Sequence, residues 1–272
     1  MIPLYDDVPS RRTPVVNVAL LVLTTIVFLT QLLQEPGAPD LIERFGMIPA
    51  RVVDPDVRVL VPEIRAVRVG FRVEERLVQR PAAPSAVPAW LTLLTCIFLH
   101  GGWLHFLGNM WFLWIFGDNV EDRLGHAGYL GFYLATGVAA SLMHLVVNLG
   151  SGAPTIGASG AIAGVMGAYF VLYPRARVVT LVPLFVFLYT IVLPAPVFLG
   201  VWFLIQFYQG TLAAGASGVA WWAHIGGFVA GTGLALVLRA RDRRRPTIEV
   251  RRPGSDEVVR TRWRPPRRGF WR

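Results

Sequence analysis

Gly157-Ala158-Ser159-Gly160 opens an apolar run that reaches about to Tyr173, so that a single serine stands at the head of a predicted membrane helix. Gly157 and Gly160 remove side-chain bulk on both sides of the hydroxyl. Another chain can therefore approach the serine oxygen, and nearby backbone N–H groups can face a developing oxyanion. This pattern indicates a nucleophile. A serine in a membrane helix more often bonds to its own backbone, so Ser159 alone does not decide the function.

Two stripes of small residues predict that two membrane helices pack closely. One stripe follows the serine at spacings of four, and the other lies in the last apolar run. His224, next to the first member of the second stripe, is the only ionisable side chain between Val219 and Leu238. If the stripes face each other, an imidazole arrives beside Ser159, and ionisable groups in a membrane generally mark functional sites. The stripes are Gly160, Gly164 and Ala168, and Ala223, Gly227 and Gly231.

The composition places the chain in the membrane class. Of its 272 residues 54% are hydrophobic, and the mean hydropathy is +0.52, which excludes an ordinary soluble enzyme. The net charge of +9 arises in the tail, where thirteen Arg and four acidic residues follow from Arg239 to the end. A basic tail after an apolar run is typical of a cytoplasmic segment near anionic lipid, so it does not indicate nucleic-acid binding. The single cysteine, Cys96, is interpreted as a packing residue.

Six apolar stretches predict an all-α membrane protein, a six-transmembrane helix bundle. Arg11 and Arg12 precede the first stretch and predict a cytoplasmic N-terminus. A cleaved secretory or twin-arginine signal is the alternative, but the apolar run is long and no Ala-x-Ala site follows. The prolines of the fifth stretch predict a kinked helix. The stretches are about 14–33, 102–116, 127–149, 159–173, 178–208 and 219–238, and the prolines are Pro183, Pro194 and Pro196.

The connections divide the chain into a cytoplasmic segment 1–13, a membrane domain 14–239 and a basic cytoplasmic tail 240–272. The tail is expected to be solvated, lipid-facing or partly disordered. Residues 34–89 form a long first outer loop, in which alternating apolar and charged residues from 57 to 73 predict a strand or an interfacial segment. Two further loops are predicted, a polar turn at 117–125, whose charges satisfy backbone groups or one another, and a small-residue loop at 210–218.

Four polar side chains are predicted to lie at a similar depth near the outer face. His105 and Asn109 are four residues apart and share one face of a helix. Ser159 and His224 stand near the outer ends of their own helices when the crossings are counted from a cytoplasmic N-terminus. His100 precedes two glycines and is better placed in a turn than in the helix.

Taken in order, these motifs resemble the rhomboid family of intramembrane serine proteases from about Arg11 to Arg239. The matching segments are HGGWLHFLGN at 100–109, the turn around Glu121, GASG at 157–160 and AHIGG at 223–227 with Gly231. The resemblance implies that Ser159 is the nucleophile and that His224 is its general base, which later protonates the leaving amine.

The resemblance also implies an oxyanion hole built from His105, Asn109 and the backbone N–H of Ser159, together with that of Ala158. The fourth and sixth helices hold no acidic residue in their apolar parts, so packing must orient the imidazole. Where many relatives have a tyrosine against that ring, this chain has Ala163. Gly157, Gly160 and Gly227 are the implied supporting residues, and His100 matches a structural position.

As implied by the resemblance, the substrates are transmembrane proteins, cleaved near the outer boundary of the lipid bilayer without a cofactor or a metal. A bacterial plasma membrane is expected, with an organelle as the alternative. The oligomeric state is open.

Three other functions are weighed against this one. A metalloenzyme would use the five histidines, but the chain lacks a His-Glu-x-x-His motif. A transporter or channel would suit six crossings, but no inverted repeat is evident. An inactive protein that only binds membrane helices would ordinarily have lost Ser159 or His224, and both are present.

Overall fold

The computed structural model describes residues 1–35, 38–69, 72–184, 187–212, 220–243, 247–251 and 258–262. The helices there are α1 (Val15–Leu32), α2 (Leu41–Phe45), α3 (Pro49–Val53), α4 (Thr92–Thr95), α5 (Trp103–Leu124), α6 (His126–Val147), α7 (Ser159–Leu172), α8 (Ala195–Leu212) and α9 (Trp221–Arg243). The strands are β1 (Ile2–Asp6), β2 (Leu60–Val69), β3 (Arg72–Pro81), β4 (Arg177–Leu184), β5 (Phe187–Pro194), β6 (Thr247–Arg251) and β7 (Val258–Arg262).

The long helices form the bundle of an integral membrane protein. Among the described residues, α1, α6, α8 and the first twenty residues of α9 are long and apolar enough to cross a membrane. A fifth span is possible if residues 89–98 and α5, which meet at an angle of 80°, count as one broken span. The apolar helix α7 has only 14 residues. The helical membrane fold is therefore confirmed, while the count of six crossings stays a prediction.

Helix α7 lies at the centre of the bundle and packs against α9 through the two predicted stripes. Every residue from Gly160 to Tyr169 is buried. A Cβ atom added to Gly227 would lie 1.9 Å from the Gly160 carbonyl oxygen, and one added to Gly231 would lie 2.0 Å from that of Gly164. The backbones thus approach so closely that only glycine fits at these positions.

The polar turn predicted at 117–125 is wrong, because α5 continues as a helix to Leu124. The Glu121 carboxylate, 1% exposed, accepts hydrogen bonds from the backbone N–H groups of Val16 and Asn17, at 2.9 and 2.7 Å. These groups belong to the first turn of α1, where backbone N–H groups have no partner within the helix. The start of α1 therefore stabilises the Glu121 carboxylate inside the fold. Glu121 has the predicted role of satisfying backbone groups.

The kinked helix predicted over 178–208 is also wrong in its first half, where β4 and β5 form a hairpin. The β-branched residues of this segment favour a strand. The N-terminal strand β1, which was not predicted, pairs with β4 to complete a three-stranded sheet. Pro194 ends β5, and Pro196 lies in the first turn of α8, where proline is tolerated.

The first outer loop contains the predicted strand, extended into a two-stranded hairpin of β2 and β3. Buried Glu43 on α2 anchors this hairpin, because its carboxylate accepts two hydrogen bonds from Arg80, at 2.7 and 2.9 Å, and one from Ala83 N. Burial by itself raises the pKa of Glu43, but these hydrogen bonds outweigh burial and hold the pKa below its usual value. Met47 also pairs with Thr155, so the loop supports the segment before Ser159.

The basic tail contains an antiparallel pair of strands, β6 and β7. The composition of the tail did not predict these strands. The predicted loop at 210–218 begins as the end of α8, and residues 213–219 lie outside the described residues.

We expect Gly227→Ala to destabilise the protein by about 1–3 kcal/mol, the usual cost of forcing extra atoms into a packed core. Gly233→Ala is the matched control on the same helix, because an added Cβ there meets nothing within 4 Å. Thermal unfolding in detergent compares the two. Equal midpoints would contradict the close helix contact.

We expect Glu121→Ala to lower the free energy of unfolding by about 2–3 kcal/mol or more, because it leaves two backbone N–H groups of α1 without a partner. Asp122→Ala is the control. Within the described part of the chain, that carboxylate forms a partly exposed ion pair with Arg12, at 3.7 Å, and such a pair contributes about 1 kcal/mol at most. Thermal unfolding distinguishes the variants, and a larger effect at Asp122 would refute the capping role.

Candidate active site

The segment before α7 brings the serine to the start of that helix. Gly157 has a φ of +122°, which side chains other than glycine rarely adopt, and its N–H donates to the Cys96 carbonyl, at 2.9 Å. Ala158 is fully buried, and its carbonyl accepts the first hydrogen bond of the helix from Ile162 N. Ser159 is thus the first residue of α7, where backbone N–H groups point away from the helix without intrahelical partners.

Ser159 and His224 meet across the contact between α7 and α9. The Nε2 atom of His224 lies 2.7 Å from Ser159 Oγ, a hydrogen-bond distance. This is the pair that the facing stripes predict, and it has the geometry of a hydroxyl nucleophile beside a general base.

The other nitrogen of His224 contacts a residue that the sequence analysis missed. The Oε1 atom of Gln206, on α8, lies 2.6 Å from His224 Nδ1. The expectation that packing alone orients the imidazole is therefore wrong. An amide within an apolar helix could have indicated this contact in the sequence. Gln209, three residues later, is also such an amide, so the fold is needed to distinguish the two.

Two tryptophans also contact the imidazole. The Trp202 ring on α8 and the Trp221 ring on α9 each lie 5.9 Å from it, the first tilted by 37° and the second edge-on. Ala163, which stands where the resemblance would place a tyrosine against the imidazole, is fully buried within α7. Aromatic contacts to His224 therefore come from α8 and α9.

His105 and Asn109 lie on the neighbouring helix α5. His105 Nδ1 accepts a hydrogen bond from Gly101 N, at 3.3 Å, so that Nε2 carries the proton of the neutral ring. This Nε2 lies close to Gly157, because a Cβ added to Gly157 would be 2.7 Å from it. Buried Asn109 donates one amide hydrogen to the His105 carbonyl, at 2.8 Å, and its second amide hydrogen is available to another acceptor.

His100 lies in the turn before α5, as predicted. Its backbone N–H and carbonyl both bond to the Gln31 amide of α1, at 3.0 and 3.1 Å. Its ring is 2% exposed and packs edge-on against Phe28 and Phe106. These contacts fit a structural role. Within the part of the chain that the structure describes, no three His, Cys, Asp or Glu side chains come together as a metal site.

A narrow cavity lies beside Ser159 and extends towards α6. Its lining includes Gly157, Gly160 and Ser141, whose Oγ lies 3.4 Å from Cys96 Sγ. Ser141 and Ser159 are among its polar lining residues, and the larger part of its surface is apolar.

The residues of this site lie within a stretch that matches a known protein family. A family model described as Rhomboid domain matches residues 88–241, which is more than half of the 272 residues. The chain belongs to the rhomboid family. Rhomboid proteins are in general intramembrane serine proteases.

Several curated rhomboid proteins are similar to parts of the chain. Rhomboid-like protein 11, chloroplastic, of Arabidopsis thaliana is 44% identical over 77 residues, 28% of this chain and 27% of the relative. Rhomboid protein 1, mitochondrial, of Saccharomyces cerevisiae is 31% identical over 100 residues, 35% of this chain and 29% of the relative. Presenilin-associated rhomboid-like protein, mitochondrial, of Homo sapiens is 32% identical over 98 residues, which are 35% of this chain and 26% of the relative. The chain thus spans less than a third of the length of each.

We expect Gly157→Ala to reduce the reactivity of Ser159 strongly, because an added Cβ conflicts both with the positive φ and with His105. Gly150→Ala is the control, since an added Cβ there meets nothing within 4 Å. Labelling of the purified protein with a fluorophosphonate probe measures this reactivity. Equal labelling of both variants would show that Gly157 does not shape the site.

Proposed function

We propose that this rhomboid protein is an intramembrane serine endopeptidase that uses a Ser159–His224 dyad. The 2.7 Å contact between Ser159 Oγ and His224 Nε2 carries the proposal, because it joins a nucleophile to a base across two helices.

In the first half of the proposed reaction, Ser159 Oγ attacks the carbonyl carbon of the scissile peptide bond while His224 Nε2 accepts the hydroxyl proton. The resulting imidazolium then gives this proton to the leaving amine as the C–N bond breaks. In the second half, water attacks the acyl-enzyme, its proton passes to His224, and Ser159 Oγ recovers that proton as it leaves. The cavity beside Ser159 supports access of this water.

The oxyanion hole is proposed to consist of donors from two helices. The backbone N–H of Ser159, with that of Ala158, approaches from the start of α7, and His105 Nε2–H and the amide of Asn109 approach from α5. The position of His105 Nε2 near Gly157 supports this assignment. Each such donor typically contributes a factor of about 10²–10³ to kcat.

We propose transmembrane proteins within a lipid bilayer as substrates, cut near the membrane face at which Ser159 lies. Glycines around the hydroxyl leave room for an extended substrate backbone. Residues 1–13 and 240–272 are proposed to be cytoplasmic, flanking the protease domain 14–239. A bacterial plasma membrane is the proposed location, and the organellar names of the relatives make an organelle the alternative.

An inactive rhomboid-like protein that binds membrane helices is the second candidate function, and a transporter is a weaker one. The presence of both dyad residues in hydrogen-bond contact favours the protease.

We expect purified protein in detergent to cleave a model single-span substrate, and Ser159→Ala and His224→Ala each to reduce kcat by about 10⁴-fold or more. Ser85→Ala, in an exposed loop, is the control and should keep full activity. Cleavage should also persist with a metal chelator. An inert parent protein, or cleavage by Ser159→Ala, would overturn the proposal.

A further inference from the structure

Gln206 is a buried amide in a helix that is otherwise mostly lipid-facing. Gln206 lies on α8 and is 7% exposed. Its side chain contacts Nδ1 of the imidazole, whereas Ser159 contacts Nε2. Burying a polar amide is costly unless it is hydrogen-bonded, so this residue is expected to have a specific partner. His224 Nδ1, at 2.6 Å, is that partner.

The amide oxygen determines which nitrogen of the imidazole carries the hydrogen. A carbonyl oxygen only accepts, so the hydrogen bond requires a proton on Nδ1. In the neutral ring, Nε2 then has a free lone pair, and Nε2 is the atom that lies 2.7 Å from Ser159 Oγ. The opposite tautomer would place a hydrogen on Nε2 and could not accept the serine proton.

We propose that Gln206 is a positioning residue that holds His224 in the Nδ1–H tautomer and so prepares Nε2 to act as the base. This inference rests on the proposed protease function and adds a third member to the dyad. The proton that moves in the reaction is accepted and released at Nε2, while the Nδ1 hydrogen stays in place and Gln206 neither gains nor loses a proton.

Packing around the ring cannot replace this hydrogen bond. Trp202 and Trp221 limit the tilt of the imidazole but offer aromatic surfaces that do not distinguish the two tautomers. Of the residues that the structure describes, the ionisable groups that act electrostatically on His224 are His105 on α5 and His144 on α6, and neither is a carboxylate. A neutral amide thus orients the base without placing an additional charge inside the membrane, where an unpaired charge is costly.

The kinetic test compares Gln206→Leu with Gln209→Leu, an exposed position on the same helix. We expect Gln206→Leu to lower kcat about tenfold, the contribution of one neutral hydrogen bond, with KM little changed. Gln206→Glu keeps an acceptor and should retain most of the activity. Because a carboxylate favours the charged imidazolium, its activity should be lost at a higher pH on acidification than that of the parent. Equal kcat for both leucine variants would overturn the inference.

A second measurement reads the tautomer without any cleavage. In protein labelled with ¹⁵N-histidine, the His224 signals are assigned by their absence in His224→Ala. We expect the parent to show a protonated Nδ1 and an unprotonated Nε2, and Gln206→Leu to show a mixture. A parent with the hydrogen on Nε2 would refute the role of Gln206. A parent with the expected tautomer that cleaves nothing would sustain this inference while refuting the protease function. Thermal unfolding of each variant shows whether it is folded.

Discussion

The close contact between the backbones of α7 and α9 is the constraint on which the site depends. The Gly160 and Gly164 carbonyls lie so near to Gly227 and Gly231 that a single added carbon atom would overlap them. Because the two backbones are so close, the short side chain of Ser159 on α7 reaches the imidazole of His224 on α9. Stability and chemistry are therefore coupled, because any residue that separates the helices also separates Ser159 from His224.

The elements around this pair fix it from several sides. Helix α8 brings an amide and an aromatic ring to the imidazole through Gln206 and Trp202. The first outer loop pairs with the segment before the serine, between Met47 and Thr155, and Gly157 bonds to the Cys96 carbonyl. Separate parts of the chain thus determine the position of Ser159 Oγ and His224 Nε2 together. Such support is what a preorganised site requires.

The ends of the helices far from the site are held by one buried and one half-buried carboxylate. Glu121 accepts from the first turn of α1, and Asp6 on β1 accepts from Asn119 and Tyr169, which lie on α5 and α7. Desolvation on burial is the main reason that the pKa of Asp6 is raised, although the hydrogen bond from Tyr169 opposes the rise. These contacts explain why Glu121 and Asn119 occur within a helix. A hydrophobicity pattern predicts a turn at such residues, because it contains no information about partners that are distant in the chain.

Composition and local spacing were sufficient to predict the membrane class, the long apolar helices, the two stripes of small residues and the pairing of Ser159 with His224. These features follow from local composition and from spacings within a single helix. The tertiary structure alone decided which of two glutamines on α8 reaches the imidazole, that 178–194 forms strands, and that β1 completes their sheet. Each of these depends on a partner far away in the chain. Gln206 and Gln209 lie three residues apart in the same apolar stretch, and the packing of α8 on α9 buries Gln206 while Gln209 stays exposed.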